Sequence, residues 1–354
     1  MESPITSPAD AERPPAPLVT IVVPVFNGGA YLRDSLDSLL RQSYSPIEIL
    51  VLDDASTDDT PGILAGYGDR IRVIRQAANR GIYANANDGI AVARGEFIAV
   101  YHADDVYDQR IVEREVAFLE AHPEAGAVFC LDVFVDADDR EYGRLELPAD
   151  LRGRGTLDYA AVLEGLLRHR NHFLMCPGAM VRAAAYREVG VYDQARYRNT
   201  SDLEMWLRIA RRYPLGLLEE YLFRYRHFPL QSSRRYHRLR TTQENFFAIV
   251  DQYLAEDGRP LVSADAVACY EGHRAEDRLK IAVSHYIRGE LAQAREALRR
   301  LPAAAILRGR TVQRWRLLVL LLAFRLLARL PRVNAVADLF LRRWFDKPDR
   351  AAAR

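Results

Sequence analysis

The chain has 354 residues, of which 49% are hydrophobic, and a formal net charge of +1. This length accommodates one domain of roughly 200–250 residues and a smaller accessory region, and the apolar content excludes a disordered chain. The near-neutral charge gives no basis for nucleic-acid binding, which needs clustered positive charge. Cys130, Cys176 and Cys269 form no CxxC pair, which argues against a zinc site or a disulfide framework and favours a reducing cytoplasm.

Strand-like runs alternate with helix-length segments from Leu18 to about Val106. The runs are Leu18–Val23, Ile47–Leu52, Ile71–Ile74 and Phe97–Tyr101. This order predicts an α/β fold with a mostly parallel sheet and helices on both faces. At the start of the second crossover helix we expect Thr60 to be the cap and Pro61 the first helical residue.

The middle of the chain, about residues 107–227, continues the same domain with a mixed pattern. It predicts a helix at Ile111–Ala121, a strand at Ala127–Val135, and a helix that places Leu203 and Trp206 on one face.

Polar clusters follow three of the four predicted strands. The first strand leads into Pro24-Val-Phe26-Asn27, the second into Asp53-Asp54, and the fourth into His102-Ala-Asp104-Asp105. Ligands of parallel sheets bind beyond the carboxyl ends of the strands. The sequence has neither a GxGxxG nor a GxxxxGK[ST] loop, so a divalent cation held by Asp104 and Asp105 is the natural way to bind a diphosphate.

Each of these residues also has a purely structural interpretation. Asp104 and Asp105 could form a solvated turn or a helix cap, and Asp53 and Asp54 could cap the next helix. Phe26 could stack on a flat ring or pack beside the core. A second Ala-Asp-Asp, within Asp-Ala-Asp-Asp at residues 136–139, follows a strand among other charges, and it predicts an exposed hairpin turn.

Ordered motifs extend over residues 18–230. They are Thr20-Ile-Val-Val-Pro-Val-Phe-Asn27, Ser38-Leu-Leu-Arg-Gln42, Glu48-Ile-Leu-Val-Leu-Asp-Asp-Ala-Ser-Thr-Asp58, Asn79-Arg-Gly81, Gly95-Glu-Phe-Ile98, His102-Ala-Asp-Asp105, Pro177-Gly-Ala-Met180, Glu188-Val-Gly190 and Ser201-Asp-Leu-Glu-Met-Trp-Leu-Arg208. In order and spacing they resemble the family 2 glycosyltransferases. The resemblance implies a GT-A (Rossmann-like) fold, a nucleoside-diphosphate sugar donor with UDP favoured, Mg or Mn, and usually inversion at the anomeric carbon.

The resemblance also implies roles for single residues. Asp54 would face the base, Asp53 the nucleotide, Asp104 the ribose or diphosphate, and Asp105 would be the direct metal ligand. The complete donor-binding set is Pro24, Phe26, Asn27, Asp53, Asp54, Arg80, Gly81, Asn87, Asp104 and Arg226.

The chain departs from the family pattern at two positions. His102 stands where many members carry an acidic residue, which leaves two carboxylates rather than three. Ala86 precedes Asn87 where an Arg-Asn pair is common, and Arg80 could supply that charge.

Asp202 takes the position of the family's catalytic base, a carboxylate that removes the proton of the acceptor hydroxyl. The alternative is that it only provides negative charge at a helix N-terminus. Glu204 is the reserve candidate. His172 is either on the acceptor side or structural, and Arg226 either offsets the leaving-group charge or lies at the surface.

The organisation expected is a disordered leader at 1–17 that lacks signal-peptide features, a glycosyltransferase domain at 18–230, and a helical accessory region at 231–308. Within the accessory region, the pattern of Ile281–Leu298 predicts one helical hairpin. Residues 309–354 form a basic amphipathic region with an apolar run at Leu317–Phe324. Because Trp315, Trp344 and Phe345 suit an interface, we expect either peripheral membrane contact or a core helix of the accessory region.

Two classes of function follow. The first is a transferase that adds sugar to a saccharide or lipid-linked acceptor in surface polysaccharide or glycolipid synthesis, in the cytoplasm and at the inner face of the membrane. The second is a catalytically inactive nucleotide-sugar-binding partner subunit, which His102 makes conceivable. A nucleotidyltransferase is disfavoured because no basic residue follows Asn27-Gly28-Gly29 directly.

Overall fold

A computed structural model describes residues 15–228, 239–301, 303–308 and 314–329, together with residues 333, 335, 336 and 339. The predicted leader therefore lies almost entirely outside the described residues, and so does most of the predicted C-terminal region beyond residue 329. Trp344 and Phe345, expected at an interface, are outside them too.

The first half of the sheet has the predicted parallel order. Its strands, in the order β3-β2-β1-β4, are β1 (Val19–Val25), β2 (Ile47–Asp53), β3 (Arg72–Arg75) and β4 (Phe97–Val100). They are connected by α1 (Leu32–Leu40), α2 (Thr60–Ala65) and α3 (Ile82–Val92). All seven residues of β1 are buried, because helices cover both faces of this central strand.

The predicted cap of α2 is wrong by one residue. Asp59 is the N-cap residue and Thr60 is already helical. Thr60 instead accepts a hydrogen bond at Oγ1 from the N–H of Gly28, at 2.9 Å. The hydroxyl therefore ties α2 to the loop that follows β1.

The second half of the sheet is mixed. Its strands are β5 (Val106–Tyr107), β6 (Ala127–Val135), β7 (Glu141–Arg144), β8 (Thr156–Leu157), β9 (Ala179–Arg182) and β10 (Leu215–Arg226). Strand β9 lies between β4 and β6 and is antiparallel to both, whereas β10 is parallel to β6. The helices here are α4 (Ile111–Ala121), α5 (Tyr159–His169), α6 (Ala183–Val189), α7 (Gln194–Tyr197) and α8 (Ser201–Ala210).

Each face of the sheet has its own hydrophobic core. Val22 belongs to one core and Val23 to the other, as the alternation of side chains along a strand requires. In the first core Trp206 of α8 packs edge-on against Phe129 of β6, with ring centroids 5.0 Å apart. Helix α8 is thereby fixed against the centre of the sheet.

The described C-terminal part is helical, as predicted. Its helices are α9 (Asn245–Tyr253), α10 (Ala264–Ile287), α11 (Leu291–Arg299), α12 (Ala303–Arg308) and α13 (Arg314–Leu327). The predicted hairpin is formed by the end of α10 and α11, with Gly289 at φ +83° in the turn. None of the helices in the described ranges has the length and apolar character needed to cross a bilayer.

These helices are distributed between two hydrophobic cores. Phe247 of α9 and Tyr270 of α10 belong to the first core of the sheet, whereas Leu279 of α10 packs in a separate core with α11 and α13. The predicted boundary at residues 230/231 lies within 229–238, outside the described residues, and stays a prediction.

Candidate active site

An acidic cluster lies just beyond the carboxyl end of β4. Ligand atoms of His102, Asp104 and Asp105 all lie within 4.8 Å of one another. Nδ1 of His102 is 3.9 Å from Oδ2 of Asp105. The structure therefore brings both predicted metal ligands together with the histidine that departs from the family pattern.

Hydrogen bonds from α1 and β5 fix the backbone of this cluster. Ser35 donates to the carbonyl of His102 at 3.1 Å, and the N–H of His102 donates to the hydroxyl of Tyr107 at 2.6 Å. The N–H of Tyr107 in turn donates to Ser38 at 3.1 Å. Sequence reasoning gave neither serine a role, although Ser38 begins one of the family motifs. Their signal is that two hydroxyls lie on the buried face of α1.

Arg226, at the end of β10, holds the same segment from the other side. Its N–H donates to Oδ1 of Asp105 at 2.9 Å, and its Nε donates to the carbonyl of Asp104 at 3.1 Å. The guanidinium lies over the ring of Tyr31 and 3.5 Å from Asp139, and the residue is 2% exposed. Arg226 is thus not the surface arginine of the alternative interpretation, and its predicted contact with the donor stays a prediction.

The cluster has the electrostatics of a cation site. Asp105 is fully buried, and burial followed by repulsion from Asp104 raises the pKa of its carboxyl well above the ordinary value. Burial also raises the pKa of Asp104 and lowers that of His102, which favours a neutral imidazole. Oδ2 of Asp105 and Nε2 of His102 are buried without a hydrogen-bond partner. Because a cation would compensate these atoms, the residues present fit a divalent metal.

Asp132 of β6 is a neighbour that sequence reasoning missed. It is fully buried, neither carboxylate oxygen has a hydrogen-bond partner, and burial raises its pKa to about 7. Its charge contributes to the raised pKa of Asp105, so the two carboxyl groups are close. The available signal was a single acidic residue within a nine-residue strand that is otherwise apolar.

Asp202 is the second residue of α8. Burial raises its pKa to about 6, while hydrogen bonds from the N–H of Leu203 and the hydroxyl of Tyr83 oppose this shift. The N-cap residue is Thr200, and no side chain makes a capping hydrogen bond there. The same carboxylate raises the pKa of the Cys176 thiol. Asp202 is therefore not the N-cap residue, but it does accept from backbone N–H in the first turn of α8, and its predicted role as the base stays a prediction.

Cys176 is a buried cysteine that interacts electrostatically with both parts of the site. Burial and then the charge of Asp202 raise the pKa of its thiol, and the thiol in turn contributes to the pKa of Tyr107, which burial raises first.

Glu204, the reserve candidate, is engaged elsewhere. It is 4% exposed, accepts from Nε of Arg208 at 2.9 Å and from the hydroxyl of Tyr253 at 3.1 Å. These partners join α8 to α9, which favours a structural role.

Asp54 organises the loop that precedes α3. Its two carboxylate oxygens accept from the N–H groups of Arg80 and Gly81, each at 2.8 Å. The guanidinium of Arg80 is half exposed and pairs with Asp88. Both oxygens of Asp54 are thus already bonded to backbone, and its predicted contact with the base stays a prediction.

Gln194 of α7 completes this loop and was not found from the sequence. Its Oε1 accepts from the N–H groups of Tyr83 and Ala84 at 2.9 and 3.0 Å, and its Nε2 donates to the carbonyl of Arg80 at 2.6 Å. A Cβ on Gly81, whose φ is +88°, would lie 2.5 Å from that Nε2. Glycine is therefore required where the amide approaches the backbone.

The ends of β1 and β2 lie side by side. Oδ1 of Asp53 accepts from the N–H of Ser56 at 2.9 Å, and Asn27, at φ +51°, accepts from the N–H of Thr57 at 2.8 Å. Pro24 is buried within β1, whereas the ring of Phe26 is 49% exposed. Phe26 is therefore available for stacking rather than packed in the core.

The remaining positions discussed from the sequence, Asn87, Ala86 and His172, differ in burial and in hydrogen bonding. The amide of Asn87 donates to the carbonyl of Tyr192 at 2.8 Å and accepts from its N–H at 3.0 Å. Ala86 is fully buried, so that position faces the core. His172 is exposed, and its place on the acceptor side stays a prediction.

The Asp-Ala-Asp-Asp segment at residues 136–139 forms the predicted hairpin turn between β6 and β7. Oδ1 of Asp136 accepts from the N–H groups of Asp138 and Arg140 at 2.9 and 3.0 Å. Residues 137–140 are exposed, in contrast to Asp105. The two segments share Ala-Asp-Asp but differ in their first residue, His102 or Asp136, and in burial.

Comparison with known proteins matches residues 20–190 to the family described as Glycosyl transferase family 2. The putative glycosyltransferase EpsE of Bacillus subtilis is 34% identical over 199 residues, which cover 54% of this chain and 66% of that protein. An uncharacterized glycosyltransferase of Rickettsia felis is 30% identical over 230 residues, or 62% of this chain and 36% of that protein. The chain thus spans about one to two thirds of the length of these relatives.

Solved structures show the same fold at low sequence identity. S. aureus TarS 1-349 in complex with UDP has a TM-score of 0.57 at 14% identity, covering 92% of this chain and 91% of that chain. The mannosyltransferase PcManGT from Pyrobaculum calidifontis, in complex with GDP-Man and Mn2+, has a TM-score of 0.51 at 18% identity, covering 94% and 88%. Residues 20–190 thus form a domain of glycosyl transferase family 2, and the described part of the chain has the GT-A fold.

Proposed function

We propose that this protein transfers a sugar from a nucleoside-diphosphate donor to an acceptor hydroxyl, with Asp202 as the base and the acidic cluster as the site of a divalent cation. The observation that carries the proposal is the buried cluster itself. Oδ2 of Asp105 is buried and unpartnered beside Asp104 and His102, an arrangement that costs free energy unless a cation compensates it.

Asp104 and Asp105 would hold Mg or Mn, since carboxylate oxygens suit both ions. When bound, such a cation neutralises charge on the diphosphate and so assists its departure. The imidazole of His102 lies close enough to contribute, and its lowered pKa keeps the ring neutral. His102 is thus compatible with an active enzyme and does not by itself favour an inactive partner subunit.

Asp202 would accept the proton of the acceptor hydroxyl as its oxygen forms a bond to the anomeric carbon. The bond from that carbon to the diphosphate oxygen breaks, and the nucleoside diphosphate leaves with the electron pair. Attack from the side opposite the leaving group inverts the configuration. With a pKa of about 6 the carboxyl is ionised at neutral pH yet basic enough to take a proton.

The donor would lie along the ends of β1 and β2. The exposed ring of Phe26 suits a nucleobase, and Asn27, Asp53 and Asp54 frame the same edge. A UDP-sugar is favoured because TarS, with the higher TM-score of the two structures, is described with UDP and with UDP-GlcNAc. GDP-Man in PcManGT makes a guanine donor the second choice.

The acceptor would be a saccharide or a lipid-linked sugar in surface polysaccharide or glycolipid synthesis, at the inner face of the cell membrane. The three cysteines support a reducing compartment because all are free in the structure. The arginine-rich C-terminal region supports contact with a membrane surface.

Release of nucleoside diphosphate from UDP- and GDP-sugars with MnCl2, and with water as acceptor, tests the proposal. Asp202→Asn removes the proton acceptor but keeps the size of the side chain. We expect turnover to fall by about 100-fold or more with little change in donor affinity. Glu204→Gln is the matched control and should keep most of the turnover. Full turnover in Asp202→Asn would refute Asp202 as the base.

A further inference from the structure

Helix α13 has two opposite apolar faces. Leu317, Leu321 and Phe324 are at most 5% exposed and pack in the core formed with α10, α11 and α12. The opposite face carries Trp315, Val319, Leu322 and Leu326, which are 60%, 66%, 54% and 66% exposed. Among the described residues the core uses the first face, and Val319, Leu322 and Leu326 of the second face are left exposed.

These four exposed residues, here called the apolar stripe, form a continuous line. Their spacing of four, three and four residues places them on one side of a helix. With a rise of 1.5 Å per residue the stripe is about 16 Å long. Single exposed leucines are ordinary, but an apolar line on a helix marks a surface that is covered in the working protein.

Positive charge surrounds the stripe. Arg316 and Arg329 are exposed at its two ends. No acidic residue occurs between Glu296 and Asp338 in the sequence, whereas nine arginines do. Arg325 is used within the fold, since it donates to the carbonyls of Leu298 and Leu301 at 3.2 and 2.8 Å. Arg299 and Arg300 pair with Glu296, so the arginines from Arg308 onward are the ones with no acidic neighbour in the sequence before Asp338.

We infer that the apolar stripe of α13 docks on an anionic lipid surface, with its side chains in the interface and the arginines at the headgroups. An anionic surface supplies the opposite charge that this segment lacks. A second copy of the chain would bring arginines against arginines. Four side chains also offer on the order of a few hundred Å², well below the roughly 800 Å² per partner of a stable interface.

Docking of this kind needs no membrane span. Helix α13 has 14 residues, so it is about 21 Å long and shorter than the hydrocarbon core of a bilayer. Lying flat, it would hold the catalytic domain next to a lipid-linked acceptor. The inference rests on the membrane location of the proposed function, which it assigns to one helix face, and it does not depend on the chemistry proposed for Asp202.

Vesicle sedimentation of the full chain tests the inference. We expect binding to vesicles that contain phosphatidylglycerol and at least about tenfold weaker binding to phosphatidylcholine alone, with loss at high salt as screening increases. Leu322→Gln with Leu326→Gln should weaken binding by about tenfold or more, because two apolar side chains leave the interface.

The matched control is Leu261→Gln with Val73→Gln, which changes two apolar residues that are 47% and 42% exposed elsewhere. This control should bind vesicles like the wild type, and equal melting temperatures would show that both variants are folded. Equal binding of the stripe variant and the wild type would refute the inference, as would equal binding to neutral and anionic vesicles. Self-association lost in the stripe variant, without vesicle binding, would assign the face to a second copy instead.

Discussion

Hydrogen-bond partners separate the carboxylates of the site by role. Asp54 has both oxygens bonded to backbone N–H groups, so its charge is used to shape a loop. Asp105 and Asp132 are just as buried but keep oxygens without a partner. Glu204 is paired with Arg208, whereas Asp202 has the hydroxyl of Tyr83. The sequence contains all of these residues but cannot show which oxygens are already satisfied.

The pH dependence of turnover should report Asp202. Because its pKa is raised to about 6, the carboxyl becomes protonated and turnover falls as the pH decreases through about 6. Tyr83→Phe removes a hydrogen bond that lowers this pKa, so the acidic limb should move to higher pH. The measurement is turnover against pH at saturating donor and Mn²⁺.

Tyr67→Phe is the control, because its hydroxyl bonds to Asp37 outside the site. The limb should remain in place in that variant. An acidic limb that Tyr83→Phe leaves unchanged would show that another group titrates.

Elements with a clear period were predictable, and short or irregular ones were not. Strand Ala127–Val135 and helix Ile111–Ala121 have the predicted bounds because their apolar patterns are long. Strand β9 has four residues, too few to show a period, and β10 changes register against β6 near Leu218 and Tyr221. The antiparallel pairing of β9 with β4 and β6 was missed for this reason.

Long-range contacts were also beyond the sequence pattern. Gln194 bonds to the N–H of Ala84, 110 residues earlier, from a helix of only four residues. Its role depends on the fold bringing α7 to the start of α3, which no local motif indicates.

A buried acid of α4 makes stability depend on pH. Glu115 accepts from the hydroxyl of Tyr101 at 2.5 Å, and burial raises its pKa from 4.5 to about 8. Between these values the native protein holds a proton that the unfolded chain has lost. The free energy of unfolding therefore decreases as the pH rises from about 4.5 to 8.

Glu115→Gln keeps an oxygen for Tyr101 and removes the ionisable group. We expect the variant to melt at a higher temperature than the wild type at pH 8, and at a similar temperature near pH 4.5. Glu113→Gln, at an exposed position of the same helix, is the control and should follow the wild type. The measurement is the melting temperature between pH 4.5 and 8, in EDTA so that no bound metal contributes. Melting temperatures of Glu115→Gln and the wild type that change with pH in parallel would contradict the prediction.

At the scale of the whole molecule, α10 connects the first core of the sheet with the separate core that contains α13. Tyr270 of α10 packs in the core of the sheet, and Leu279 of the same helix packs in the core that contains α13. Two ion pairs lie near this connection, the partly buried pair of Arg170 with Glu244 and the buried pair of Arg240 with Asp277. The lipid-facing stripe and the acidic cluster are therefore parts of one chain of packed elements.

The family resemblance predicted the GT-A fold correctly, since its motifs lie at the ends of regular strands. The exposed stripe of α13 was harder to predict from the sequence. Its apolar run has leucines on every side, and only packing against α10 and α11 shows which of them are left at the surface.

Binding of UDP and GDP by isothermal titration calorimetry, with and without MnCl2, tests the central claim most directly. The comparison is between Asp105→Ala and Asp138→Ala, which alter two copies of the same Ala-Asp-Asp sequence in a buried and an exposed setting. We expect the wild type and Asp138→Ala to bind the nucleotide only with Mn²⁺. Asp105→Ala should lose at least about 100-fold in affinity for the nucleotide in the presence of Mn²⁺, because removing even an outer-shell partner of a metal ligand costs about 10- to 100-fold. Mn²⁺-dependent binding that survives in Asp105→Ala, or an equal loss in both variants, would contradict the assignment of the metal site.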